Sequence, residues 1–296
     1  MESSYVGFET LAVRVAVPHV LHVELNRPNR ANAMNAQYWH EMRRLFAAIA
    51  VDPEVRAVVI SGAGKHFSAG IDMQPGQQPT GNLLSGPGKN SDVARHALKL
   101  QQLVLSMQES FTCITRCPQP VIAAIHGACM GGAVDLITAC DMRFCSDCAL
   151  FSVKEVAVGL CADVGTLQRL PRVVGNQSWV RDICYSARTF GAAEAKEFGL
   201  VSKVCSGGRE GILAAAMEAA AVIAAHSPLA VTGTKRSLEW SQDHSVADGL
   251  AHVALWNSAA LMTKDLMIGA RPPDRRKGGA AAEGTTKPKR KLYSNL

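Results

Sequence analysis

Three acids follow one another in surroundings that are otherwise apolar or small: Asp135, Glu155 and Asp163. Asp135 comes just after the pair Gly131-Gly132, where an apolar helical pattern opens. Glu155 interrupts Phe151-Ser152-Val153-Lys154-Glu155-Val156-Ala157-Val158-Gly159, and Asp163 lies in Gly159-Leu160-Cys161-Ala162-Asp163-Val164-Gly165. A carboxylate among apolar groups is costly unless it is paired or put to use. Each acid also has a plain structural use. Asp135 suits the first turn of a helix, Glu155 could pair with Lys154 or Arg169, and Asp163 could cap a helix starting near Val164. Two glycine-bearing turns accompany the acids: Phe67-Ser68-Ala69-Gly70-Ile71-Asp72, and His126-Gly127-Ala128-Cys129-Met130-Gly131-Gly132. Each can present a backbone N–H with no side chain crowding it. Two such donors aimed at one point make an oxyanion hole, which stabilises an enolate in a water-poor site. Tight turns need glycine for their conformation alone, so neither turn decides the matter by itself.

The segments around these residues alternate between strand and helix. Leu11 to Val17 and Val20 to Leu25 are rich in β-branched residues and broken at Pro18-His19, which predicts a hairpin. Asn35 is placed to cap a helix through Val51, with Trp39, Met42, Leu45, Phe46 and Ile49 on one face. Ala57 to Ser61 and Val121 to Ile125 are short apolar strands, and each leads into one of the two glycine turns. Helices are expected from Asp92 to about Thr115 and from Gly131-Gly132 to about Cys140, with strands at Met142 to Cys145 and Leu150 to Val153. Pro75 to Asn90, rich in Gly, Pro, Gln and Ser, reads as a long loop of the functional or mobile kind. After Gly191 the pattern turns helical: Ala192 to Phe198, Gly208 to His226, Pro228 to Glu239 and Val246 to Met267. The expected division is a core over 1–205, a helical region over 206–270 and a disordered basic tail over 271–296.

Composition excludes several classes. The net charge is +6, and the tail from Arg271 on holds all of it, with eight Lys/Arg against two Asp/Glu. The 270 residues before it carry 23 basic and 23 acidic groups, so the folded part is no nucleic-acid binder by charge. No apolar run approaches the roughly 20 residues that span a bilayer. The start of the chain reads as neither a secretory nor a strong mitochondrial signal. Nine cysteines, an odd number, then point to reduced thiols. Cys145 and Cys148 form a CxxC with no second ligand pair nearby, so no metal site is expected. His66 and His126 flank the glycine turns and read as loop histidines bonded to backbone. Cys129 has no activating partner in view.

The order of all these pieces resembles the crotonase (enoyl-CoA hydratase/isomerase) superfamily. Ala69-Gly70-Ile71-Asp72 is followed by His126-Gly127-x-x-x-Gly131-Gly132-x-x-Asp135 and then Lys154-Glu155-Val156-x-Val158-Gly159-Leu160. Leu25-Asn26-Arg27-Pro28, Ala31 to Asn35, Ala192, Glu194, Ala195 and Gly199-Leu200-Val201 complete it, so the resemblance runs from about Val20 to Leu266. It implies an α/β fold, a spiral of ββα turns with a C-terminal helical trimerisation region. It also implies a homotrimer or a dimer of trimers. By position, the oxyanion donors are the N–H groups of Ile71 and Gly132, and the acyl-CoA substrate is bound along Ala69, Gly70, Ile71, Asp72, Met73 and Gly132. No cofactor is implied beyond the coenzyme A carried by the substrate.

Within that superfamily, hydratases place glutamates at the positions of Asp135 and Glu155 and usually glycine at that of Asp163. The three acids here, followed by Val164-Gly165-Thr166-Leu167-Gln168-Arg169-Leu170-Pro171, are similar to the dienoyl-CoA isomerases. That resemblance implies that Asp163 takes the C2 proton of a 3,5-dienoyl thioester, Glu155 supplies a proton to C6, and Asp135 tunes or positions the pair. A 2-enoyl-CoA hydratase is the alternative, with Asp163 only a helix cap. A binding protein whose basic tail contacts RNA is a more distant one, opposed by the intact set of acids. The ending Ser294-Asn295-Leu296 resembles the Ser-Lys-Leu address read by the peroxisomal import receptor. The expected location is therefore the peroxisome or a related organelle, with the mitochondrion as alternative.

Overall fold

The computed structural model describes residues 5–74, 76–77, 92–270 and 293–295. All but two residues of the expected loop, Pro75 to Asn90, lie outside that set. So do Leu296 and nearly all of the tail.

The chain opens as the predicted hairpin. Strands β1 (Leu11–Val17) and β2 (Val20–Leu25) pair antiparallel, and His19 takes a positive φ of 65° at the turn. Helix α1 (Ala36–Ala50) starts at Asn35, whose side chain accepts the N–H of Tyr38 at 3.1 Å. It buries Trp39, Met42, Leu45, Phe46 and Ile49, the face foreseen from their spacing. Strand β3 (Ala57–Gly62) then pairs parallel to β2, and after α2 (Val93–Arg116) strand β4 (Val121–Ile125) pairs parallel to β3. A short strand β5 (Ala128–Met130) and α3 (Gly132–Ala139) lead to β6 (Met142–Ser146), parallel to β4.

β3 and β4 are buried on both faces, which is why their sequences read as continuous apolar runs. One face carries Val58, Ile60, Ala123 and Ile125 toward the main core with α1. The other carries Ala57, Val59, Ile122 and Ala124 toward α7 (Gly208–Ala224). That helix meets the sheet through Ile212, Ala216, Ala220 and Ala224, four small or branched side chains one turn apart. Alanines at this spacing let the helix lie close against the strands.

Between β6 and α7 the chain forms β7 (Leu150–Ser152), a 3-10 turn over Glu155–Val158, α4 (Thr166–Val173), α5 (Gln177–Ser186), β8 (Phe190–Gly191), α6 (Ala192–Glu197) and β9 (Lys203–Cys205). Among the described residues the strands make two sheets, one ordered β1-β2-β3-β4-β6-β9 and a small one ordered β5-β7-β8. The sequence reading lacks β5, α5, β8 and β9 as assigned elements, and gives α4 only as a helix starting near Val164. All are short, and their apolar patterns are too brief to carry a period.

The C-terminal helices are α8 (Pro228–Trp240), α9 (Val246–Ala260) and α10 (Lys264–Ala270). The single helix expected over Val246 to Met267 is thus two. A tight turn, with Thr263 N–H on the Ala260 carbonyl at 3.2 Å, ends α9, and the Thr263 hydroxyl accepts the Asp265 N–H at 3.2 Å to start α10. α8 is anchored by Lys235, whose buried ammonium pairs with Asp141 at 2.8 Å and donates to the carbonyls of Ile114 and Gln119. No residue of α9 is buried, and Val246, Leu250 and Leu255 face outward. Among the described residues no single helix is long and apolar enough to cross a membrane. Tyr293 and Asn295, expected in a tail free of the body, lie against it: Arg56 donates to the Tyr293 carbonyl at 2.7 Å and to Asn295 Oδ1 at 2.5 Å.

Candidate active site

Parallel pairing of β3 with β4 sends both following loops off the same edge of the sheet. The loops are then stitched together by backbone bonds. Phe67 N–H donates to the His126 carbonyl at 2.8 Å, Ser68 N–H to Ala128 at 3.0 Å, and Met130 N–H returns to Ser68 at 3.1 Å. The contact is also close at Gly70, which has φ +87°. A Cβ there would meet the Met130 oxygen at 2.5 Å and the Gly132 nitrogen at 3.2 Å. On Gly132 a Cβ would press on Ile71 Cγ1 at 3.2 Å and stand 3.7 Å from the Ile71 nitrogen. The N–H groups of Ile71 and Gly132 are therefore neighbours. Neither donates to an acceptor among the described residues. The Gly132 N–H is also the first of α3, one of the donors a helix start leaves unpaired. The structure thus sets side by side the two N–H groups that the resemblance names as oxyanion donors.

Further bonds hold this pair. Met34 N–H and carbonyl bracket Ile71 by pairing with Gly70 at 2.8 Å and Asp72 at 3.0 Å. The Asn32 amide donates to the carbonyls of Ala63, His66 and Phe67. Asp72, expected along the substrate, is 3% exposed, and its carboxylate accepts from Arg27 at 2.9 Å and Arg30 at 3.3 Å. Burial pushes its pKa up, but the bonds from Arg27 and the Gln74 N–H outweigh that and hold it below the ordinary range. Its carboxylate thus serves to clamp the turn. Ala69 and Met73 are exposed. His66 and His126 do what their position suggests: His66 Nδ1 takes the Ala128 N–H at 3.1 Å, and His126 Nε2 meets the Gly64 carbonyl at 3.0 Å.

The acids arrive from three directions. Asp135 sits in the first turn of α3, fully buried. β5 pairs parallel with β7, and the Gly131 N–H donates to the Ser152 carbonyl at 2.9 Å, so the chain after β7 runs beside the start of α3. Glu155 follows, and its Oε1 lies 3.4 Å from where a Cβ on Gly131 would be. Asp163 lies in the loop before α4, half-buried, with its carbonyl held by Gln108 at 2.7 Å. Asp163 does not cap the helix; α4 begins at Thr166, and it is Asp135 Oδ1 that accepts the Thr166 N–H, at 2.5 Å. Nor does Glu155 pair with Lys154 or Arg169: Lys154 donates to the Ala187 carbonyl and Arg169 to Thr112 and the Val164 carbonyl.

Two buried carboxyl oxygens, Asp135 Oδ2 and Glu155 Oε2, have no partner among the described residues. Burial raises the Asp135 pKa to about 6 against the bond from Thr166, with the Asp163 charge adding to the rise. Burial first, then the charge of Asp135, raises Glu155 to about 7, and Asp163 adds again. Asp163 is raised too, through burial. Burial and the charges of its acidic neighbours therefore favour a proton on Glu155 near neutral pH. Such a set can take a proton at one position and deliver one at another.

A cleft of about 1670 Å³ lies elsewhere, between the C-terminal helices and the ends of α3 and α4, and its walls hold none of these groups. No group of residues suited to hold a metal occurs among the described residues. Cys145 is buried on β6 and Cys148 exposed on the turn after it. Burial raises the Cys129 thiol well above its usual range, which leaves it unreactive. Thr166 and Gln108 are site residues that the sequence reading misses; neither has a chemical signature of its own.

The fold and this constellation define a class. The sequence profile of the enoyl-CoA hydratase/isomerase family matches residues 17–257, and the chain belongs to that family and has its crotonase fold. The human mitochondrial delta(3,5)-delta(2,4)-dienoyl-CoA isomerase is 52% identical over 261 residues, 88% of this chain and 78% of that protein. The peroxisomal delta(3,5)-delta(2,4)-dienoyl-CoA isomerase of Arabidopsis thaliana is 44% identical over 83% of this chain and 87% of that protein. A solved putative enoyl-CoA hydratase from Thermobifida fusca YX, in complex with acetoacetyl-CoA, is 31% identical with a TM-score of 0.73. It covers 85% of this chain, and 94% of that one is matched.

The Glu155 carboxyl predicts a dependence of stability on pH. Its pKa is about 7 folded against 4.5 unfolded, so between those values the folded chain binds more protons. Stability therefore falls as pH rises through that window and stays lower above about 7. In Glu155→Gln this penalty is gone. The stability difference between variant and wild type should grow in the variant's favour by on the order of 2–3 kcal/mol from pH 4 to pH 8. Urea unfolding at the two pH values measures it, and a difference that does not change with pH contradicts the assignment.

Proposed function

We propose that the chain isomerises 3,5-dienoyl-CoA to 2,4-dienoyl-CoA, a step in fatty acid β-oxidation. The observation that carries this reading is the third acid. Asp163 joins Asp135 and Glu155 in one electrostatic cluster beside the paired N–H groups of Ile71 and Gly132. Removing a C2 proton from a 3,5-dienoyl thioester gives a dienolate with charge on the thioester oxygen, C2, C4 and C6. The oxygen charge is met by the N–H groups of Ile71 and Gly132. C2 and C6 are too far apart for one short carboxyl to serve both, so two acids divide the work. Asp163, the more open of the two, takes the C2 proton. Glu155, whose pKa is raised to about 7, holds the proton that goes to C6. The exposed side chains of Val156, Val158 and Leu160 next to Glu155 offer an apolar border for the acyl chain. No proton acceptor or donor beyond the three carboxyls is required, and the coenzyme arrives with the substrate. The acetoacetyl-CoA held by the related solved protein supports a thioester ligand.

The hydratase alternative uses Asp135 and Glu155 alone and leaves Asp163 idle. Substituting Asp163 by Asn separates the two readings, because it removes a base with little change of shape. Isomerase turnover, followed by the ultraviolet absorbance of the conjugated product, should fall by about 10²- to 10⁴-fold with the fold retained. Near-normal isomerisation by this variant, or hydration of 2-enoyl-CoA faster than isomerisation by the wild type, would sink the reading.

The assembly we propose is a trimer or a pair of trimers built on the C-terminal helices. Its support is the outward apolar face of α9 and α10, with Val246, Leu250, Leu255, Leu266 and Met267 all more than half exposed. Sedimentation of the full chain should give three or six times its 31.5 kDa. A monomer at micromolar concentration contradicts the assembly.

The relatives' names place one in mitochondria and one in peroxisomes. We assign the chain to the peroxisome or a related organelle through Ser294, Asn295 and Leu296, with the mitochondrion as alternative. Ser294 and Asn295 are exposed. A fluorescent reporter carrying the last dozen residues should enter peroxisomes and lose that location when Leu296 is deleted; cytosolic fluorescence from both forms favours the alternative.

A further inference from the structure

Asp163 lies in a stretch that does little to hold itself. Among the described residues none of the N–H groups from Cys161 to Gly165 donates to a main-chain carbonyl, so the loop has no backbone ladder of its own. Buried Ala162 and Val164 anchor it on either side of Asp163. Two successive carbonyls, those of Asp163 and Val164, are taken by side chains from two helices. Gln108 of α2 donates its amide to the Asp163 carbonyl at 2.7 Å. Arg169 of α4 donates to the Val164 carbonyl at 3.3 Å. A carbonyl away from water needs a donor, and here the donor's position fixes that of the residue.

The two donors are joined to each other. Gln108 and Thr112 stand four residues apart on α2 and so share one face. The Thr112 hydroxyl donates to the Gln108 carbonyl at 2.9 Å, which leaves its lone pairs free, and Arg169 Nη2 donates to that oxygen at 2.9 Å. The Arg169 guanidinium thus bridges α2 to the residue after Asp163. It lies over Gly165, where φ is +134° and a Cβ would meet Nη1 at 1.8 Å. α2 is itself fixed next to this point. Ser110 donates to the Trp39 carbonyl of α1 at 2.9 Å, and Arg43 of α1 donates to the Ser106 carbonyl at 2.7 Å and to Ser110 Oγ at 2.8 Å. Phe111 beside them is fully buried. The main chain of Asp163 is therefore tied, through Gln108, to a helix locked into the core.

We propose that Gln108 is a positioning residue for Asp163: its amide, with the Arg169 bridge as a second tie, keeps the Asp163 carboxyl at one place in the acid cluster. This deepens the isomerase reading above and rests on it for the step affected, removal of the C2 proton. Aspartate has a short side chain, so its carboxyl goes where its main chain goes. Proton transfer needs the base within hydrogen-bonding reach of the proton, and a misplacement of about 1 Å can cost on the order of 10²-fold in rate. Asp135 on α3 and Glu155 after β7 are placed by other elements. Losing the Gln108 amide thus loosens one acid of the three and leaves the N–H groups of Ile71 and Gly132 as they are.

The test uses the full-length enzyme with Gln108→Met, which removes the donor at nearly constant length. Turnover of 3,5-dienoyl-CoA should fall by about 10- to 100-fold in Q108M, with KM unchanged. In the Asp163→Asn background Q108M should add no further loss, because the base that Gln108 places is already gone. A merely structural role lowers turnover again in that background or raises KM, and either result overturns the inference. So does full turnover by Q108M. Methyl NMR relaxation of Ala162 and Val164 reads the tie without substrate. Their order parameters should fall in Q108M while those of Ala133 and Val134 in α3 hold. That result supports the proposal even if the wild type fails to turn over the dienoyl thioester, an outcome that defeats only the functional reading. Unchanged order at Ala162 and Val164 overturns the proposal whatever the activity.

Discussion

Gly70 approaches the loop after β4 so closely that a single added carbon would meet the Met130 oxygen at 2.5 Å. That backbone contact is what the rest of the site depends on. It sets the Ile71 N–H beside the Gly132 N–H, and both stay free for a ligand because nothing among the described residues accepts them. The contact is held from both sides. Behind it, the Ser68 bonds to Ala128 and Met130 fasten one loop to the other. In front, Arg27 and Arg30 grip Asp72, and Asn32 collects three carbonyls of the same loop. An oxyanion site works through preorganisation, so rigid backbone donors do better than side chains that must be ordered on binding.

The acids behave in the opposite way. Every feature that makes them useful makes the folded chain less stable near neutral pH. Glu155 and Asp135 are buried, carry unpaired oxygens and repel each other. The helix-to-helix bond from Thr166 to Asp135 relieves part of this and joins α3 to α4, the element that Asp163 precedes. One carboxylate thereby has both a structural and an electrostatic part. Other buried charges among the described residues are paired in the ordinary way, as Lys235 is with Asp141 and Glu41 with the N–H groups of Glu9 and Thr10. The contrast supports the proposal that the carboxyl cluster is a working site.

Legibility in the sequence follows the range of each interaction. The hairpin, α1, β3, β4, α3 and α7 can be read because each carries its own local signal: a period of apolar residues, a capping Asn35, a turn at Pro18-His19. The short elements from β7 to β9 take their form from neighbours. β5 exists because β7 pairs with it, and α4 starts where it does because Asp135 reaches across from α3. From its local pattern alone Asp163 could equally cap a helix, and the partners of the Asp72 carboxylate are not legible until its neighbours are known.

The sequence by itself determined the class. The ordered motifs from Ala69 to Leu160, with Asp163 just beyond them, carried the resemblance to the family, and that resemblance named the candidate oxyanion pair and the three acids. Only the tertiary structure decided which partner each group meets. It turned Asp72 inward onto two arginines, left Glu155 without the lysine beside it, split the last long helix at Thr263, and set Thr166 against Asp135. Those choices depend on contacts between segments tens of residues apart, made when β3 and β4 pair and α3 and α4 pack, and no local pattern encodes them.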